Sequence, residues 1–159
     1  MAANDGKYLE NLVQKWFDNS DDVSIMLTRL PDSRSARNLI KAQNADFLIS
    51  SREFGAWHLE CKSVGGKKEH LKVFRQYPLM KRWALAGVPG LVLVHFYDLK
   101  KLALFDITTA EKPEGQKHWN IPTDCQTIII GSDREEDIYT ILDSMVRVMR
   151  RRLRNGRSI

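Results

Sequence analysis

Residues 45–63 read ADFLISSREFGAWHLECKS: two apolar-rich segments, 45–50 and 56–63, on either side of a short loop, 51–55, that ends in a glycine. Runs of this length and composition, bounded this way, predict a β-hairpin. Side chains alternate along a strand. Trp57, Leu59 and Cys61 therefore share one face, which suits a core, and His58, Glu60 and Lys62 share the other. A hairpin symmetric about Glu53 sets Asp46 opposite Glu60. Carboxylates facing each other across a ladder repel, and a bound cation is the usual way to offset that.

Mg²⁺ takes one or two carboxylates, with waters and substrate phosphate oxygens filling the remaining positions. Asp46 and Glu60 are the expected ligands, with the backbone carbonyl of Cys61 as a further one. Mn²⁺ is expected to substitute. Such a metal makes hydroxide available near neutral pH and neutralises charge on a phosphodiester. Lys62 would orient the attacking water or stabilise the pentavalent phosphate. Against this stands the plainer reading of Glu60 and Lys62 as a solvated surface pair, worth ~0–1 kcal/mol. The aspartate-led strand upstream shifts the balance toward chemistry.

Outward from the hairpin, helical spacing of Tyr8, Leu9, Leu12, Val13, Trp16 and Phe17 predicts a helix over 4–18, capped by Asn4 or Asp5, with Glu10 at the border of the apolar stripe. A strand is expected over 23–30, and a polar, basic loop or arm over 31–44. Residues 64–68 are read as flexible and basic. A helix is expected over 69–86, kinked or split by Pro78 and ended by Gly87. The apolar run 88–96 is the pattern of a central buried strand. Strands are expected over 102–107 and 127–130, with a surface connection over 109–126. A last helix is expected from Ser132, where Ser132 and Glu135 have capping-box spacing. The order predicts one α/β domain spanning 1–159, a mixed central β-sheet flanked by helices.

Composition adds bounds. The 159 residues carry a net charge of +5, with 43% hydrophobic and 28% charged residues, as in ordinary globular domains. The two cysteines, Cys61 and Cys125, lack metal-binding spacing. The free thiols and the lack of a signal-like or membrane-spanning run suggest the cytoplasm, a host's cytoplasm if the chain is phage-encoded. The basic excess favours a polyanion. Arg34, Arg37, Lys41, Lys67, Lys68, Lys72, Arg75, Lys81 and Arg82 flank the paired strands and are expected to contact DNA phosphates. Arg147, Arg150, Arg151, Arg152 and Arg154 suit the C-terminal end of the last helix. Trp83 and Trp119 could stack on unpaired bases, with a core position the stronger expectation for Trp83.

Glu10 in GKYLENLV, Asp46 in NADFLI, Glu60 and Lys62 in LECKS and Gln76 in KVFRQYPLM resemble, in order and spacing, the PD-(D/E)XK nuclease superfamily. The resemblance spans most of residues 6–96 and implies a restriction-endonuclease-like fold. It casts Asp46 and Glu60 as metal ligands, Lys62 as the catalytic lysine and Glu10 as a helix carboxylate that helps hold a metal or its water. Within the superfamily the chain is most similar to RecU-type Holliday junction resolvases, on its hairpin, its basic segment before a glutamine-bearing helix, and AGVPGLVLVHF at 86–96. That likeness places Gln76 near the active site and implies a homodimer acting on branched DNA in recombination and repair. Asn44-Ala45 stands where a proline often precedes the first aspartate. The alternatives are a nuclease of this fold acting on duplex DNA, and a DNA-binding module without activity.

Overall fold

The computed structural model describes residues 6–31, 45–111, 114–121, 123–125 and 127–154, the side chains at 6, 127, 128, 153 and 154 excepted. The hairpin forms about the expected centre. Strands β2 (Phe47–Ser51) and β3 (Gly55–Val64) pair antiparallel, Phe47 opposite Leu59 and Ile49 opposite Trp57. Asp46 lies just before β2, one step further toward Glu60. Strand β1 (Ile25–Arg29) pairs antiparallel with the outer side of β2.

Strand β5 (Gly90–Phe96) runs parallel to β3, with Glu60 beside Val92 and Lys62 beside Val94. Every residue of β5 is buried, which its unbroken apolar run required of a strand covered on both faces. Strands β6 (Lys101–Asp106) and β8 (Thr127–Ser132) complete a mixed, mostly antiparallel sheet in the order β1-β2-β3-β5-β6-β8.

Helices α1 (Gly6–Asp18) and α3 (Glu135–Arg154) cover one face. Leu9, Leu12, Val13 and Trp16 of α1, with Ile138, Leu142, Met145 and Met149 of α3, pack there on Trp57, Leu59, Leu91 and Leu93. Helix α2 (Tyr77–Leu85) and the chain after β6 cover the other face, where Met80, Trp119 and Ile107 meet Val92, Val94 and Phe105. The caps expected at Asn4 or Asp5 and the arm over 32–44 lie outside the described residues.

Several expectations are corrected. The single helix over 69–86 is instead a strand, β4 (His70–Lys72), followed by α2. Pro78 falls in the first turn of α2, where its missing N–H costs nothing, and Gly87 closes the helix at φ 102°. The surface connection over 109–126 contains β7 (His118–Asn120), paired antiparallel with β4. Its Trp119 is fully buried and donates from Nε1 to the carbonyl of Glu111 at 2.6 Å, so it is not available for stacking on bases. Helix α3 starts three residues after Ser132, whose hydroxyl accepts the Arg134 N–H at 3.3 Å rather than capping Glu135. Trp83, expected in the core, is 39% exposed.

Candidate active site

The site grows from the β2–β3 hairpin. The Asp46 carbonyl accepts the Leu30 N–H at 2.8 Å, and its carboxylate oxygen Oδ2 accepts the Cys61 N–H at 2.8 Å. Main chain from two neighbouring strands thus fixes Asp46. Glu60 projects from β3 on the face covered by α2 and is 0% exposed. Among the described residues neither of its carboxylate oxygens has a hydrogen-bond partner. Lys62 Nζ stands 2.6 Å from Glu60 Oε1, an ion pair outside hydrogen-bond angles. The same ammonium reaches Gln76 Oε1 at 3.5 Å, at the outer limit of a hydrogen bond, and lies 5.0 Å from the Phe74 ring centre.

Burial raises the Glu60 carboxyl to about 7, with the Asp46 charge adding to the rise and Lys62 only partly countering it. Burial likewise raises Asp46 to about 6, against the Cys61 N–H, while Glu10 pushes it further up. A fully buried and a half-buried carboxylate that ionise reluctantly form an environment that a cation would relieve. The acid-base sign follows from this. Both groups hold protons more tightly folded than unfolded, so between about pH 4 and 7 the folded chain binds more protons and metal-free stability falls as pH rises. Thermal melts in a chelator are expected to show this fall. In Glu60→Gln the fall is expected to shrink, and its melting temperature at pH 8 to exceed wild type by at least about 2 °C.

A metal held here would draw on few protein side chains. Among the described residues no three His, Cys, Asp or Glu side chains are placed to share an ion. Asp46 and Glu60 are the two carboxylates such an ion needs if water and phosphate oxygens supply the rest. The Cys61 thiol is buried in the opposite core and raised well above its ordinary range, by burial first and then by the Asp46 and Glu60 charges, which leaves it inert as a ligand. Glu10 is partly buried on α1 and forms an ion pair with Arg29.

The other expected residues divide. Lys67, Lys68, Lys72 and Arg75 are exposed, and the first three line a groove of about 600 Å³ that begins at Lys62. Arg34, Arg37 and Lys41 lie outside the described residues. Lys81 is turned inward, its Nζ on the Ala110 carbonyl at 2.6 Å. Arg150 binds Asp22 and Glu53, each at 2.9 Å, and Arg152 binds Asp106 at 2.7 Å, so these two arginines tie α3 to the fold. His58 is buried edge-on to Trp83, and burial lowers its pKa and keeps it neutral.

This architecture has a solved counterpart. A Holliday junction resolvase, Hjc, from the archaeal hyperthermophile Archaeoglobus fulgidus superposes with a TM-score of 0.51 at 13% sequence identity, over 74% of this chain and 88% of that one. The fold is that of this nuclease. No protein-family model matches the sequence, and a comparison with curated proteins finds no match. The likeness to RecU-type enzymes therefore stays with the sequence motifs.

Two members of the site escaped sequence reasoning. Phe74 faces the Lys62 ammonium, and Arg29 holds Glu10 while its guanidinium lies 5.9 Å from the Phe47 ring centre. Phe74 sits two residues before Gln76, but an aromatic in a segment expected to be helical gives no sign that it faces a cation.

Proposed function

We propose that the protein is a Mg²⁺-dependent endonuclease that hydrolyses phosphodiester bonds in DNA, with Mn²⁺ able to substitute, and that it resolves four-way junctions as a homodimer. The observation that carries this is the fully buried Glu60 carboxylate, set beside Asp46 and ion-paired with Lys62 at 2.6 Å. Asp46, Glu60 and the Cys61 carbonyl would hold the metal, which when bound supplies charge neutralisation and an acidified water. Lys62 is 26% exposed at its side chain and is steered by Glu60, Gln76 and Phe74. It presents a fixed positive charge where a phosphate would accumulate negative charge. Gln76, at the N-terminus of α2, limits where that ammonium can move. Glu10, paired with Arg29, places its charge near Asp46 and would help hold the metal or its water.

Junction specificity and dimerisation draw on the sequence resemblance and on the likeness to Hjc. The test is cleavage, with Mg²⁺, of a synthetic four-way junction and a linear duplex of the same sequence. Paired nicks in the junction alone are expected, reduced at least about 100-fold in Lys62→Ala. Equal cutting of both substrates would remove junction specificity, and cutting of neither would overturn the nuclease. A resolvase must present two sites at once, so a strict monomer at micromolar concentration would also contradict resolution.

A further inference from the structure

We infer that the groove beginning at Lys62 is a track for one nucleic-acid strand, whose phosphates are held by Lys67, Lys68, Lys72, His70 and His118. The choice of DNA rests on the nuclease reading above. The groove adds the path by which a strand leaves the carboxylate pair.

Two independent features build it. The first is the β4–β7 ribbon. Leu71 and Trp119 lie opposite each other and are buried, at 3% and 0% exposure. Strand alternation therefore turns His70 and Lys72 outward with His118, whose ring centre lies 6.5 Å from that of His70. A ribbon of two three-residue strands is marginal alone; here it is pinned by its buried pair, so its basic face is held in place. The nearby carboxylates are directed elsewhere: Glu69 pairs with Lys101 at 2.8 Å, and Asp124 accepts the Asn120 N–H at 2.7 Å.

The second feature is the opposite wall, expected from sequence to be flexible. Gly65 packs so closely on Tyr97 that a Cβ there would lie 2.8 Å from the ring carbon Cζ. Gly66 takes φ 112° and donates its N–H to Asp98 Oδ2 at 2.7 Å. Lys67 and Lys68 are thus presented from a seated turn. Among the described residues no carboxylate lines the space of about 600 Å³ between wall and ribbon, and the half-buried Val73 and Phe74 give it an apolar floor. Cations along an edge and an apolar, partly aromatic floor suit a strand that offers both phosphates and unpaired bases.

The test reads binding of a fluorescent oligothymidylate by anisotropy, in a chelator so that nothing is cut. Lys67→Gln/Lys68→Gln/Lys72→Gln is expected to bind at least about tenfold more weakly, with the slope of log affinity against log salt shallower by about two. His70→Ala/His118→Ala is expected to lose at least about threefold. Gly66→Ala, which strains the wall at φ 112° without removing a charge, is expected to weaken binding while keeping the slope. Mn²⁺ binding at the carboxylate pair is expected to be unchanged in all three variants. Wild-type affinity and slope in the lysine variant would overturn the track, as would a loss confined to duplex DNA. If wild type cuts junctions while these variants bind the oligonucleotide normally, the track alone fails. If wild type cuts nothing yet the variants lose binding as described, the track stands and the nuclease reading fails.

Discussion

Glu60→Gln and Asp46→Asn are each expected to lower phosphodiester cleavage at least about 1,000-fold while leaving DNA affinity within about threefold. Each substitution keeps the size of the side chain and removes its charge. The amide introduced by Asp46→Asn still offers an oxygen to the Cys61 N–H that Asp46 now binds at 2.8 Å, so the hairpin need not move. Glu60 is buried, and an amide in its place keeps an oxygen beside the Lys62 ammonium that now stands 2.6 Å away. What disappears is the negative charge a divalent cation requires. On the proposed reading, affinity would rest on the exposed lysines beyond Lys62, which neither change touches. Single-turnover cleavage of a junction, read beside anisotropy on the same substrate, separates the two quantities. Wild-type cleavage in either variant would remove that carboxylate from the site.

Trp119→Ala is expected to destabilise the fold by about 3–5 kcal/mol, the usual cost of emptying a large aromatic site. For a chain of this size that corresponds to a fall in melting temperature of roughly 6–20 °C. Trp119 is fully buried, and its indole meets Tyr77, Phe74 and Phe105 edge-on at centroid distances of 5.0, 5.8 and 6.3 Å. It also anchors the β4–β7 ribbon against α2. Had it stacked on bases from a surface loop, the substitution would weaken DNA binding at unchanged stability. Denaturant melts decide between these outcomes.

The contrast between Trp119 and the hairpin shows what the chain disclosed by itself. The register of β2 on β3 was legible because loop length and alternation act locally, and both sides of Glu53 agree on one pairing. The central strand was legible because seven consecutive buried positions admit no polar residue except one histidine. Asp46, Glu60 and Lys62 come together as the spacing required. The β4–β7 ribbon was not legible, because each strand is three residues long and its partner lies more than forty residues away in sequence. Alternation over His70, Leu71 and Lys72 is too short to outweigh the helical pattern that follows it. The full burial of Glu60 was also hidden, since an alternating strand suggests one wet face, and it takes α2 together with the chain after β6 to cover that face.

Asp46 and Glu60 are proposed to hold a divalent cation between them, and the decisive experiment is calorimetric titration of Mn²⁺ into wild type, Asp46→Asn, Glu60→Gln and Lys62→Ala. Saturable binding is expected in wild type and Lys62→Ala and is expected to be lost in both carboxylate variants, with protons released on binding near pH 7 because the Glu60 carboxyl is raised to about 7. Equal Mn²⁺ binding by wild type and both carboxylate variants, or none by wild type, would contradict that assignment.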